Sequence, residues 1–316
     1  MGRSISTVKK FIILVFVFLL CFALGLAFGS IRHAAVFVIF ELRLPRVLAA
    51  ALGGCGLAVS GLLLQTVTGN ALCAPNIIGI NSGAGLGVLL LYSLCPALWK
   101  LSPLAAFAGA LLVSVIVIGV ARAGAGEISK TTLILSGVAM GAFANAGISF
   151  LLLLDPDAAS NYSSFQSGGF KGVQFDELLF PFLIVSACLI LSIILAGRIK
   201  ILLLGDGIAG SLGINAARLR IAVVMISAAL AAAVISYAGL IGFVGLVVPH
   251  ISRALMGQDI RKNIFSCTLI GSSLMILSDL LGRVLFAPSE LPAGIVTAAI
   301  GAPFFIYLVC KRRYNQ

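Results

Sequence analysis

Apolar runs of about twenty residues follow one another along almost the whole chain, and no other feature narrows the possible folds so far. They fall near 11–30, 47–66, 77–95, 103–121 and 131–154, and again near 177–197, 219–238, 240–256, 264–282 and 292–310. A helix of roughly 20 apolar residues crosses a hydrocarbon layer of about 30 Å. Inside that layer a helix also satisfies its own backbone hydrogen bonds, which an irregular segment does not. The ten runs predict an all-α integral membrane protein of about ten transmembrane helices, with residues 1–316 forming a single transmembrane domain. Of the 316 residues only 10% are charged and 61% are hydrophobic. A soluble domain carries about 25% charged residues to wet its surface. The 35 glycines do not oppose helices here, because small residues let helix backbones approach closely in lipid.

Two boundaries carry alternatives. The first run follows Lys9 and Lys10 like a secretory signal, but it is long for one and Ala27-Phe28-Gly29 is a weak cleavage site, so an uncleaved first span is expected. Near residue 239, Gly239, Gly242 and Gly245 either separate two spans or kink one helix.

The net charge of +11 comes from short basic clusters between apolar runs, not from a basic stripe or domain, which disfavours nucleic-acid binding. With the N-terminus inside, Arg3, Lys9, Lys10, Arg122, Lys130, Arg198, Lys200, Arg218, Arg220, Arg253, Arg261, Lys262, Lys311, Arg312 and Arg313 face the cytoplasm. They are fifteen of the 21 basic residues. Arg32, Arg43, Arg46, Lys100, Lys171 and Arg283 face outward. This excess obeys the positive-inside rule, and ten spans with both termini cytoplasmic keep it at both ends of the chain.

Chemistry-bearing patterns are sparse. The seven cysteines are spaced for neither a disulfide framework nor a metal cage. No phosphate-binding Gly-x-x-x-x-Gly-Lys-Ser/Thr loop occurs, nor a Gly-x-Ser-x-Gly elbow, and the histidines are His33 and His250 alone. His250, beside Pro249 in an apolar stretch, reads as structural. An enzyme reading is therefore poor, and no metal or cofactor is expected to be bound by this chain.

Other patterns point to packing and partners. Gly79, Gly83 and Gly87 recur at four-residue spacing, as do Gly137 and Gly141, giving faces for close helix packing within the chain or between subunits. The stretch 198–218 contains Leu204-Gly205-Asp206-Gly207-Ile208-Ala209-Gly210-Ser211-Leu212-Gly213-Ile214-Asn215. It is too short for a domain and too apolar for a freely solvated loop. Ile208 and Leu212 share a helical face, which predicts short helices seated in a groove of a cytoplasmic protein; a membrane-skimming turn is the alternative. On the other side, Arg43-Leu44-Pro45-Arg46 opens the second span, with Pro45 placed for a helix start. Interfacial snorkelling is the ordinary role for such arginines. Asp279 and Arg283, four apart, are spaced to neutralise each other at the membrane.

Taken in order, these segments resemble the FecCD-type permeases, the membrane subunits of ABC importers for iron–siderophores, haem and cobalamin. The resemblance rests on Arg43-Leu44-Pro45-Arg46, Val59-Ser60-Gly61-x-x-x-Gln65 and Gly79-x-x-x-Gly83-Ala84. It continues through Gly242-Phe243-Val244-Gly245-Leu246-Val247-Val248-Pro249-His250, Ser278-Asp279-Leu280-Leu281-Gly282-Arg283, Glu290-Leu291-Pro292-Ala293-Gly294 and Gly301-Ala302-Pro303-Phe304-Phe305. The chain departs from the family at Asn70-Ala71-Leu72-Cys73-Ala74-Pro75, which lacks a proline and an acid. It departs again at Phe165–Phe170, without the usual tryptophan, and at Gly205-Asp206-Gly207, where Gly-Glu-Glu is common.

The resemblance implies a type II ABC importer permease in the cell membrane: a homodimer, or close heterodimer, of two permease copies in the lipid bilayer. It implies two ATPase subunits, carrying ATP-Mg, docked on Leu204, Gly205, Asp206, Ile208, Ala209, Ser211, Leu212 and Gly213. It also implies an extracytoplasmic substrate-binding protein, periplasmic or lipid-anchored, meeting Arg43, Arg46 and Arg283. The expected cargo is an iron chelate such as a siderophore complex, with haem and cobalamin as the other members of the class. The rival reading is an ion-gradient-driven secondary transporter, for which Asp279 is the one candidate intramembrane acid.

Overall fold

The structure, a computed structural model, describes residues 7–29, 37–123 and 129–314, with side chains to 307 and at 310. Arg3, Arg32 and His33 lie outside the described residues, as do the side chains of Lys311, Arg312 and Arg313. Twelve α-helices make up most of the described residues. They are α1 (Thr7–Ala27), α2 (Leu44–Thr68), α3 (Ile80–Leu94), α4 (Ser102–Ala123), α5 (Lys130–Leu154), α6 (Pro156–Ser167), α7 (Phe175–Leu202), α8 (Asp206–Ser211), α9 (Ala216–Ala238), α10 (Val244–Met256), α11 (Ile260–Val284) and α12 (Ala293–Tyr314). A π-helical turn, Val38–Arg43, runs directly into α2, and a 3-10 turn, Pro96–Leu101, leads into α4.

Seven helices among the described residues are long and apolar enough to cross a membrane, and α3, α10 and α12 are shorter apolar helices. Together they account for the ten runs. Two differences have local causes. The third helix begins at Ile80 rather than 77, because Gly79 adopts φ 80° and turns the chain immediately before it. The glycines after Ala238 separate two helices: Gly239 takes φ 69°, Phe243 takes φ 65°, and α10 starts only at Val244.

Polar caps place the helix starts. Ser129 accepts from Thr132 N–H at 3.1 Å, Asp155 from Ala158 at 3.0 Å, Asn215 from Arg218 at 2.9 Å and Asp259 from Lys262 at 3.1 Å. Each satisfies one of the amides that a first turn leaves without a partner. The cap at Asp155, followed by Pro156, starts α6 in a stretch whose serines and asparagine gave no helical signal in the sequence.

At the centre, α2 packs against α9, α10 and α11, and α9 also packs on α4 and α7. Two crossings are closed by glycine on both sides. A Cβ at Gly54 would overlap the carbonyl of Gly271 on α11, and a Cβ at Gly61 would overlap that of Gly245 on α10. The glycines singled out by spacing also pack within the chain: Gly83 and Gly87 against Gly109 and Ala105 of α4, and Gly79 against Gly137 and Gly141 of α5. Helices α2 and α9 run antiparallel, since Tyr237 Oη donates to the Ala49 carbonyl at 3.0 Å while Ser60 and Ser227 exchange bonds of 2.8 and 2.9 Å. The bundle therefore has one end at the start of α2 and the other at the start of α9, beside α8.

Candidate functional site

The two ends carry different chemistry. At the start of α2, the four charged side chains of Arg46, Arg283, Asp279 and Glu290 form a connected set. Arg46 sets Nε 3.0 Å from both Asp279 oxygens and Nη2 2.9 Å from one of them, and donates from Nη1 to Glu290 at 2.8 Å. Arg283 lies with Nε 3.1 Å from Asp279 Oδ2, the pairing its four-residue spacing predicted. Asp279 is 1% exposed, so its charge is held almost wholly by these two guanidiniums.

Arg43 and Arg283 also serve the end of α1. Arg43 donates to the carbonyls of Leu26 and Ala27 at 2.9 and 2.8 Å, and Arg283 to those of Gly25 and Phe28 at 3.2 and 3.4 Å. The last carbonyls of a helix lack intrahelical donors and carry partial negative charge, so buried arginines suit that position. The sequence presented Arg43, Arg46 and Arg283 as outward-reaching cations. In the structure Arg43 and Arg283 are buried, and Arg46 is largely so. All three nevertheless line one cavity of about 700 Å³, together with Lys171, Asp176 and Glu290. Glu41 lines it too, so four cations face three carboxylates there, and the buried Asp279 behind Arg46 and Arg283 brings the charges to balance. A larger cavity of about 860 Å³ shares Arg46, Lys171 and Glu290 and extends past Tyr237, Gly239 and Pro292.

A third cavity, of about 280 Å³, has a neutral polar lining that includes Asn81, Ser82, Asn145, Ser149, Tyr162 and Gln166. Asn145 and Ser149 are exposed on α5, which the rest of the chain covers on one side only. Burial raises the Tyr162 hydroxyl above its usual range, so it stays a neutral hydrogen-bonding group.

At the opposite end, residues 204–213 form a single short helix, α8, with its approaches. Ala209 is fully buried beneath it, while Leu204 (62% exposed), Ile208 (48%) and Leu212 (59%) point away from the bundle. Ile214 is half-buried against the core instead of joining them. Gly205, Gly207, Gly210 and Gly213 have open space where a side chain would stand. Asp206 is half-exposed and accepts two bonds from Arg220 Nη2, at 2.9 and 3.1 Å. Nearby, Arg253 on α10 donates to Gln65 of α2, and Ser252 bonds to Asn263 at 2.6 Å and to Ser266. Between α2 and α3, burial pushes the Cys73 thiol up to about 11, so it behaves as a small apolar group.

Sequence reasoning did not find the pairing of Arg46 with Glu290, of Asp206 with Arg220, or of Gln65 with Arg253. Of these, Asp206 and Arg220 lie near each other in the chain; the other pairs are 244 and 188 residues apart. Among the described residues, no group of three or more His, Cys, Asp or Glu side chains is placed to hold a metal.

Comparison with known proteins matches residues 10–311 to the FecCD transport family. The chain is 37% identical over 285 residues to the Fe(3+)-citrate import system permease protein YfmE of Bacillus subtilis, covering 89% of this chain and 84% of that one. It is 34% identical to the hemin transport system permease protein HmuU of Yersinia pestis, covering 93% and 91%. It is 35% identical to the vitamin B12 import system permease protein BtuC of Vibrio cholerae, covering 87% and 83%. A solved ABC transporter in an inward-facing conformation superposes with TM-score 0.86 at 30% identity, covering 96% of this chain and 99% of that one.

Proposed function

The chain belongs to the FecCD transport family and is the permease of a binding-protein-dependent ABC importer for iron chelates, haem or B12, and from this premise we propose how its two ends divide the work. It is a multi-pass protein of the cell membrane and works with a separate ATPase and a binding protein, hydrolysing no ATP itself. Within the cargo class, an iron chelate is the proposed substrate, in line with the Fe(3+)-citrate relative.

The ATPase is proposed to grip Leu204, Gly205, Asp206, Ile208, Ala209, Ser211, Leu212 and Gly213, with two ATPases serving two permease copies. The supporting observation is the uncovered apolar face of α8. Leu204, Ile208 and Leu212 stand exposed beside open space at four glycines. Exposed apolar surface of this kind marks a partner's seat. This end is cytoplasmic in the proposed orientation, with both termini on the same side, since Lys9, Lys10, Arg198, Lys200, Arg218, Arg261 and Lys262 sit on helix segments at that end.

The binding protein is proposed to present a carboxylate to the cavity of about 700 Å³ lined by Arg43, Arg46 and Arg283. Arg43, Arg46, Arg283 and Lys171 converge on this cavity and offer donors to an entering acid. The arginines serve less as free surface cations than as a preset, internally anchored socket, and complementary charge of this kind orients and speeds docking.

A second permease copy, in a homodimer or close heterodimer, is proposed to cover α5. Exposed Asn145 and Ser149 are costly against lipid tails but suit an aqueous pathway between two copies. ATP binding would draw the ATPases together and, through α8, switch which end of that pathway is open.

Leu212→Glu places a charge in the apolar contact and is expected to lower ATPase co-purification and uptake of hemin, ferric citrate or cobalamin by about tenfold or more, as one misplaced interface charge costs on the order of 1.4 kcal/mol or above. Parent-level co-purification at normal membrane abundance would remove α8 as the docking site.

A further inference from the structure

We propose that Arg220 is the positioning residue that makes α8 and α9 move as one body, so that an ATPase displacing α8 displaces α9. This rests on the reading of α8 as the ATPase seat, and adds a residue that does not itself face the ATPase.

Helix α8 is poorly anchored without it. It has six residues, is entered through Gly205 at φ 115° and left through Gly213 at φ 74°. Its other inward contacts are its packing on α7 and α9 around the Ala209 methyl, and its last turn is closed by Ile214 N–H donating to the Ala209 carbonyl at 2.9 Å. Glycine on both flanks makes each approach a hinge. Against this, Arg220 is 2% exposed and fixed within the bundle, and its Nη2 reaches both oxygens of Asp206 at 2.9 and 3.1 Å. Asp206 is the first residue of α8. A charge-assisted bond from a buried, immobile guanidinium holds direction as well as distance, which a solvated pair does not.

Helix α9 is suited to carry the motion onward. Its 23 residues make a rod of about 34 Å, wedged against α2, α4 and α7 and tied to α2 by the Ser60–Ser227 exchange. Its far end, Ser236 to Gly239, lines the cavity of about 860 Å³. Arg220 thus stands where a push on the short exposed helix enters a rod that ends at the larger cavity.

The test uses the full permease purified with its ATPase. Spin labels are placed at Gly210→Cys on α8 and Ala222→Cys on α9, both exposed positions, with Cys95 and Cys310 replaced by Ser. In the otherwise native complex, the distance distribution between the labels is expected to stay narrow and unchanged when ATP-Mg and vanadate are added. Arg220→Gln is expected to broaden it and to make it shift with nucleotide. Asp206→Asn, altered on the half-exposed side, gives the same reading should Arg220→Gln fail to accumulate, and Asp206→Glu restores the native behaviour. A distribution in Arg220→Gln or Asp206→Asn as narrow and nucleotide-invariant as the parent's overturns the proposal. Leu212→Glu separates the two readings. If it abolishes ATPase association while the labels stay locked in Arg220→Gln, the strut falls and the docking seat stands. If ATPase association survives Leu212→Glu, the docking reading falls and the strut loses its purpose with it.

Discussion

Asp279 concentrates the energetics of the arginine end. It is 1% exposed and is held by Arg46 and Arg283, while Glu290, at 15% exposure, shares Arg46. Removing one member of a buried ion pair leaves its partner's charge unsolvated and costs about 3–5 kcal/mol, whereas a pair nearer the surface is worth about 0–1 kcal/mol. Asp279→Ala is therefore expected to lower the thermal unfolding midpoint of the detergent-purified protein far more than Glu290→Gln. Equal effects would show that the set is solvated in the membrane-embedded protein. The Asp279–Arg283 pair was legible in the sequence, because four residues along a helix bring two side chains together. The partnership of Arg46 with Asp279 and Glu290 was not. It joins positions 233 and 244 residues apart, and local spacing holds no information about which helix ends meet.

At the scale of elements, the ten spans could be read directly because each is a local apolar run whose length the bilayer sets. The same logic hid α6: its serines and asparagine carry no apolar period, and only Asp155-Pro156 signalled a helix start. Glycine was legible in part. The four-residue spacing of Gly79, Gly83 and Gly87 marks a packing face on sight, but the crossings at Gly54–Gly271 and Gly61–Gly245 each pair one glycine with another in a distant helix. Gly61→Ala drives a methyl into the Gly245 carbonyl. It is expected to cost about 1–3 kcal/mol or more, as overpacking of a tight contact does, seen as a lowered unfolding midpoint and reduced membrane abundance. An unchanged midpoint would mean that α2 and α10 pack less closely than described.

Over the whole molecule, a charged, internally braced socket at one end and an apolar, weakly anchored helix at the other are joined by the buried antiparallel pair α2 and α9. Among the described residues, the one deeply buried acid, Asp279, is already neutralised by two arginines. An ion-driven carrier needs an acid free to bind and release its coupling ion; this arrangement instead fits a body moved from outside. The most direct measurement is uptake of hemin, ferric citrate and cobalamin into proteoliposomes containing the permease with its binding protein, with and without the ATPase. The account predicts accumulation of one of these cargoes only when both the ATPase and ATP-Mg are present, and no change when proton and sodium gradients are collapsed. Accumulation by the permease without the ATPase, or its loss when the gradients are collapsed, would contradict it.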